Sequence, residues 1–194
     1  MTDPQRRPPH LRIVRGPEPD GDMPPTPADL DPLRFDALYR RYAAYVAAIA
    51  VRLLGRDGEV DDLVQDVFVQ VLRGLGRLRD PAAFKGWLAQ ITVRTATRRL
   101  RQRNLRRALH SFEAPIDYEV LAAPAATPDQ RALLARVYRV LDHLPAKTRV
   151  IWILRNVVDE PLHVVAELTE CSQSTVQRRL IDAQAALDEE LSHE

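Results

Sequence analysis

Apolar residues recur at steps of three and four along this chain, in two blocks separated by a proline-rich segment. This spacing places apolar side chains on one face of an α-helix. No stretch of useful length alternates with the period of two that a half-buried strand requires. The blocks cover residues 33–107 and 130–191. We therefore predict an all-α protein made of two small helical domains, which a chain of 194 residues can accommodate.

Proline-rich segments precede and separate the two blocks. Residues 1–32 are polar and rich in proline, with few apolar side chains to bury, and this predicts a disordered tail. Residues 108–129 place prolines among alanines and predict a flexible linker. Local structure is expected there around Phe112, Ile116 and Tyr118.

Composition excludes several classes of protein. Lys and Arg total 28 and Asp and Glu total 27, so net charge alone predicts no partner. Cys171 is the single cysteine, which excludes an internal disulfide and a cysteine-based zinc cluster. No stretch approaches the roughly 20 apolar residues that a membrane span needs. We expect a soluble, cytoplasmic protein that does not insert into membranes.

Metal and enzyme sites are not predicted either. A calcium loop at Asp57, Glu59 and Asp61 fails because Asp62 stands where that loop needs glycine. The histidines are scattered, with no nucleophile, carboxylate pair or phosphate loop placed near them. We expect no catalytic residue, metal or cofactor.

The second predicted helix has an acidic outer face. Its core side carries valines at positions 60, 64, 67 and 71. An exposed acidic face that contains a valine suits a basic protein partner better than it suits DNA. The candidate protein-binding residues are Asp61, Asp62, Gln65, Asp66 and Val69.

The third predicted helix opens at Asp80-Pro81, an N-cap followed by proline, and becomes strongly basic. Residues 94–107 include seven arginines and no acid. Arginines on one helix repel one another, which destabilises the helix unless an anion offsets their charge. DNA phosphate is the natural candidate for that anion. Trp87 offers a surface on which a base could stack, but a lone tryptophan in an amphipathic helix more often belongs to the core. The candidate DNA-binding residues here are Lys85, Trp87, Arg94, Arg98, Arg99 and Arg101.

Residues 161–187 have the layout of a helix-turn-helix. A short helix leads to a turn at Thr169-Glu170-Cys171, and Ser172 then caps a longer helix. The first turns of such a second helix enter the major groove of DNA, where Gln and Arg contact base edges. Plain packing of two helices is the alternative. The candidate DNA-binding residues are Ser174, Thr175, Gln177, Arg178 and Arg179.

Together these motifs resemble the extracytoplasmic-function sigma factors of bacterial RNA polymerase. The stretch from Glu59 to Phe68, EVDDLVQDVF, is similar to the region-two signature, and the stretch from Phe84 to Ile91, FKGWLAQI, to the sequence that follows it. Leu144-Pro145, Val150 to Leu154, Ala166-Glu167, Thr175-Val176 and Arg179-Leu180 are similar to region four. The likeness covers residues 33–106 and 130–191.

The resemblance implies a role for each motif. The acidic helix would grip the beta-prime clamp of core RNA polymerase, and region four would lie near the beta flap. Residues 85–101 would bind and help open the minus-ten element of promoter DNA. The longer helix of the helix-turn-helix would contact the minus-thirty-five element. The linker would run toward the polymerase active-site channel, and an anti-sigma factor would restrain the free protein.

Four positions depart from the family pattern. Arg94 replaces a usual Asn, Gln177 a usual Lys, and Asp182 a frequent basic residue. Glu170 replaces the glycine of the turn, a position that can require a left-handed backbone. Two alternatives therefore accompany the sigma-factor hypothesis: a stand-alone helix-turn-helix regulator, and a decoy that binds polymerase without initiating transcription.

Overall fold

The computed structural model describes residues 25–26, 35–55, 58–109, 118, 121–122 and 125–192. Apart from residues 25–26, the predicted disordered tail lies outside the described residues. Asp57, of the rejected calcium loop, also lies outside them, as do Phe112, Ile116 and most of the predicted linker.

The described residues form α-helices and short 3-10 turns, without a strand, so the predicted all-α fold is confirmed. None of the described helices has the length and hydropathy needed to cross a membrane. The helices, in chain order, are α1 (Phe35–Leu54), α2 (Val60–Gly74), α3 (Phe84–Leu109), α4 (Pro128–His143), α5 (Ala146–Asn156), α6 (Leu162–Leu168) and α7 (Gln173–Leu191).

The described residues divide into two compact units within α3. Those up to Ala96 form the first unit, and those from Thr97 onward form the second. Helix α3 continues without interruption through this division. The residues from Thr97 to Leu109 therefore belong to the same unit as α4 to α7.

The first unit is built on the packing of α1 against α2. Helix α1 ends at Leu54, and Gly55 follows with a φ of 78°, the left-handed conformation that glycine commonly adopts after a helix. The ring of Tyr42 meets that of Phe84 at 5.0 Å, which brings the start of α3 into the same core. The Asp80 carboxylate accepts a hydrogen bond from the Ala82 backbone nitrogen at 2.9 Å. This cap starts a 3-10 turn over Pro81–Ala83, and α3 follows at once.

The second unit contains the helix-turn-helix. Val176, Leu180, Ala183 and Leu187 of α7 are buried, as their spacing predicts. The Ser172 hydroxyl accepts a hydrogen bond from the Thr175 backbone nitrogen at 3.2 Å and caps α7. Helix α4 begins at Pro128 and so includes the last two residues of the predicted linker, and Thr127 and Gln130 form a reciprocal capping box at its start.

Candidate protein and nucleic-acid interfaces

The outer face of α2 presents the predicted protein-binding residues together. Asp61, Asp62 and Gln65 are exposed, Asp66 is half-buried, and Val69 is 47% exposed. The opposite side of the helix, including Leu63 and Phe68, is buried. We call the five outward residues the acidic face. Asp61 and Asp62 also lie in the first turn of α2, where negative charge stabilises the helix.

Two apolar residues near the acidic face were missed by the sequence analysis. Leu72 lies three residues after Val69 on α2 and is 45% exposed. Tyr39 of α1 is also exposed in part, and its ring centroid lies 4.8 Å from that of Phe68. The helical spacing of Leu72 from Val69 was a usable signal. The acidic face therefore has an apolar end, a combination typical of protein interfaces.

The beginning of α3 holds Lys85 and Trp87, both half-buried. The Trp87 ring lies against Gly74 at the end of α2, and its centroid is 6.1 Å from that of Phe84. The Lys85 ammonium lies 5.7 Å from the centre of the Tyr45 ring. Trp87 thus belongs in part to the packing of the first unit, and its remaining surface is accessible.

The middle of α3 has one buried side and one basic side. Thr95 is buried and its hydroxyl accepts a hydrogen bond from the Gln70 amide at 2.9 Å, which fixes the rotation of α3 against α2. Arg94, Arg98 and Arg101, at steps of four and three, are exposed. Arg99 is half-buried. We call these four arginines the basic side of α3.

The end of α3 has a different environment, which corrects the expectation that phosphate offsets the whole arginine run. Asp142, a buried residue of α4, accepts hydrogen bonds from Arg103 at 2.6 Å and from Arg107 at 3.0 Å. Arg149 of α5 also donates to this carboxylate. The hydroxyl of buried Tyr118, from the predicted linker, donates to Oδ2 at 2.5 Å. We call these five residues the Asp142 cluster.

Sequence reasoning missed this cluster, although one signal was present. Asp142 directly follows Leu141 on the buried side of α4. A carboxylate at a core position has to be paired, because burying an unpaired charge is costly. The sequence contains many arginines but does not indicate which of them lies beside Asp142.

The charges within the cluster shift two pKa values. Burial on its own would raise the pKa of Asp142, but attraction by Arg149 and Arg103 outweighs it, so the pKa lies below its usual 3.8. Burial, together with the hydrogen bond to Asp142, raises the pKa of the Tyr118 phenol to about 12. At neutral pH the cluster therefore contains an ionised Asp142 and a neutral Tyr118.

The helix-turn-helix presents its predicted residues at the start of α7. Ser174, Gln177 and Arg178 are exposed, whereas Thr175 and Arg179 are half-buried. Arg179 donates a hydrogen bond to the Thr148 hydroxyl of α5 at 2.9 Å, which fixes its side chain against the unit. Exposed Ile181, in the next turn, was not singled out from the sequence as a binding residue.

The turn before α7 has a strained backbone at the residue that replaces the usual glycine. Glu170 has a φ of 52°, in the left-handed region that favours glycine. The Cys171 backbone nitrogen donates to the Ala166 carbonyl at 2.9 Å and closes the end of α6. The helix-turn-helix is therefore complete without the usual glycine.

Comparison with known proteins shows similarity to one family across both units. Residues 38–106 match the model of sigma-70 region 2. The chain is 29% identical over 170 residues to the RNA polymerase sigma-H factor of Pseudomonas aeruginosa, covering 83% of this chain and 88% of that protein. It is 28% identical over 166 residues to the ECF RNA polymerase sigma-E factor of Escherichia coli K12, covering 81% and 86%.

Solved structures show the same similarity in fold. The sigma factor RpoE of Bartonella quintana, in complex with the anti-sigma factor NepR, aligns with a TM-score of 0.60 and 20% identity over 82% of this chain and 98% of that chain. CnrH, in complex with the cytosolic domain of CnrY, aligns with a TM-score of 0.54 and 25% identity over 84% and 90%. The family model and the two relatives therefore point to sigma factors, and the two solved structures point to the same fold.

Proposed function

We propose that this chain, an RNA polymerase sigma factor of the extracytoplasmic-function group, binds core polymerase through the acidic face and recognises promoter DNA with α3 and α7. The observation that carries the division of roles is the contrast between two neighbouring helices. Helix α2 exposes carboxylates and apolar side chains, whereas α3 exposes arginines. Such opposite surfaces require partners of opposite charge.

The acidic face fits a helical, basic surface of the polymerase. Asp61, Asp62 and Asp66 would pair with basic side chains, and Val69 with Leu72 would lose their water on contact. Apolar contact supplies affinity, and the carboxylates supply orientation and speed of association. We assign this face to the clamp of the beta-prime subunit.

Helix α3 has the two features that opened DNA needs. The basic side of α3 would contact the phosphate backbone, and the accessible surface of Trp87 would support an unstacked base. The packing of Trp87 against Gly74 would hold that surface still and so lower the entropy cost of stacking. We assign α3 to the minus-ten element.

Helix α7 suits duplex DNA in the major groove. Gln177 and Arg178 are exposed near its N-terminus and can each make two hydrogen bonds to a base edge. Arg179, fixed by Thr148, is better placed for a phosphate than for a base. We assign α7 to the minus-thirty-five element. The closed turn at Glu170 favours a working helix-turn-helix over a decoy.

In this account the chain is not an enzyme and acts with RNA polymerase in the cytoplasm. RNA synthesis belongs to the polymerase, and the chain contributes differential binding. By holding opened promoter DNA more tightly than closed DNA, it shifts that equilibrium toward the open form. An anti-sigma factor, the kind of partner bound to RpoE in the Bartonella quintana complex, would restrain the protein by covering its binding surfaces.

The test is transcription in a purified system. Core polymerase is mixed with the chain on fragmented bacterial genomic DNA, and the 5′ ends of the transcripts are sequenced. A sigma factor yields discrete start sites, preceded by a shared sequence pattern, that disappear when the chain is omitted. Start sites that never depend on the chain would refute the proposed function, and inhibition of another sigma factor would then indicate a decoy.

A further inference from the structure

The basic helix α3 contains two classes of arginine. Arg98, Arg101 and Arg106 are exposed, whereas Arg103 is 1% exposed and Arg107 is half-buried. The second class is directed to Asp142 of α4. We propose that Asp142 is an internal competitor of DNA phosphate, which withholds Arg103 and Arg107 from DNA while the protein is free. The inference rests on the proposed function, because it concerns the same DNA-binding helix.

The geometry of the cluster is that of an anion site already filled by the chain itself. Oδ1 of Asp142 accepts hydrogen bonds from Arg103 and Arg149, and Oδ2 accepts from Arg107 and Tyr118. A guanidinium binds carboxylate and phosphate through the same charge-assisted hydrogen bonds. A phosphate that takes over the donors now directed to the Asp142 carboxylate must therefore displace that carboxylate.

Backbone contacts hold the end of α3 at the same point. Arg107 also donates to the Asp142 carbonyl at 3.2 Å, and the Asn104 amide donates to the Leu144 carbonyl at 3.3 Å. These carbonyls lie at the C-terminus of α4, where cationic and amide donors are favourable. Releasing the two arginines therefore requires the last turns of α3 to separate from α4.

The hydrogen bond from Tyr118 makes the competition between Asp142 and DNA phosphate depend on the position of the linker. The Tyr118 hydroxyl donates to Oδ2, the oxygen that also accepts from Arg107, and its ring stacks on Tyr138 at 5.4 Å. A partner that draws the linker away removes this donor and weakens the cluster. Binding of the linker elsewhere would thereby make Arg107 easier to transfer to DNA.

The test compares the full chain with Asp142→Asn, which keeps the shape of the side chain and removes its charge. Binding to a labelled mixed-sequence duplex of about 30 base pairs is measured by anisotropy between about 50 and 200 mM salt. Glu189→Gln is the matched control, because Glu189 is an exposed carboxylate near the end of α7 and its removal changes net charge equally.

We expect Asp142→Asn to bind at least about threefold more tightly at low salt, and the salt dependence to steepen by about 0.9 for each arginine that gains a phosphate. Asp142→Asn/Arg103→Gln/Arg107→Gln should return to the original slope. Tyr118→Phe should shift affinity in the same direction by less. An Asp142→Asn protein that matches Glu189→Gln in affinity and slope, or that binds more weakly, would overturn the inference.

A second measurement needs no variant and tests the displacement of Asp142 even if Asp142→Asn does not fold. Hydrogen exchange in residues 103–109 and around Tyr118 is followed in the original chain with and without DNA. Loss of protection around Tyr118 on DNA binding supports displacement of Asp142, and retained protection refutes it. The proposed function is judged separately, by core-polymerase binding of the same preparation.

Discussion

Gly74 and Trp87 are in direct contact in the first unit. A Cβ atom placed on Gly74 would lie 2.7 Å from Cζ2 and 3.1 Å from Cη2 of the Trp87 ring. The last residue of α2 thus sets the position of the aromatic side chain that we assign to base stacking. This contact joins the end of α2 to the beginning of α3 through a single side chain.

Gly74→Ala should displace Trp87. Replacing glycine by alanine in a helix normally raises stability by up to about 1 kcal/mol. At position 74 the clash should cancel this gain and weaken binding of single-stranded DNA. Gly86→Ala is the control, since nothing lies within 4 Å of its added Cβ. Denaturant unfolding and DNA binding are measured for both, and equal behaviour of the two variants would contradict the assigned role of Gly74.

Val69→Gln and Leu72→Gln should weaken binding to core polymerase by roughly tenfold each, because both side chains would lose apolar contact with the partner. Their exposure means that the free energy of unfolding should change by less than about 0.5 kcal/mol. Ala44→Gln, at an exposed position of α1, should change neither property. If the two variants lost free energy of unfolding but still bound core polymerase normally, Val69 and Leu72 would contribute to the core and not to the interface.

Glu170→Gly should stabilise the helix-turn-helix by about 1 kcal/mol, since glycine adopts a positive φ without the steric cost that a side chain incurs. Glu167→Gly, on the exposed side of α6, removes the same charge from a helical position and should destabilise by about 1 kcal/mol. Thermal unfolding measures both changes. If both variants lost stability, the left-handed conformation at Glu170 would be wrong.

Tyr118 should make stability fall at high pH. Its folded-state pKa of about 12 exceeds the unfolded value of 10.0, so its contribution is complete below pH 10 and is lost as the pH rises toward 12. Tyr118→Phe should lack this part of the alkaline decline in the free energy of unfolding. Phenolate absorbance should also show one fewer late-titrating tyrosine, and identical titration curves would contradict the buried hydrogen bond.

The sequence predicts the helices and their faces because both depend on local spacing. Steps of three and four identify the buried sides of α2 and α7, and a serine before α7 identifies its cap. The exposed arginines of α3 follow from the same rule. These features need no knowledge of which helices touch.

The Asp142 cluster could not be predicted, because it depends on contacts between residues far apart in the chain. Arg103 lies 39 residues from Asp142, and the sequence offers several equivalent arginines for the same carboxylate. The roles of Trp87 and Gly74 also depend on a tertiary contact. The conformation at Glu170 contradicts a local preference that the closing hydrogen bonds of the turn outweigh.

The most direct test of the account is the affinity of the chain for core RNA polymerase after charge reversal of the acidic face. We predict that the original chain co-elutes with core polymerase and that Asp62→Arg/Asp66→Arg does not, although it remains folded. Asp188→Arg/Glu189→Arg, the same charge change at the exposed end of α7, should still co-elute. Co-elution of all three proteins would contradict the acidic face as the polymerase-binding surface, and co-elution of none, with tight duplex binding by the chain alone, would indicate a stand-alone regulator.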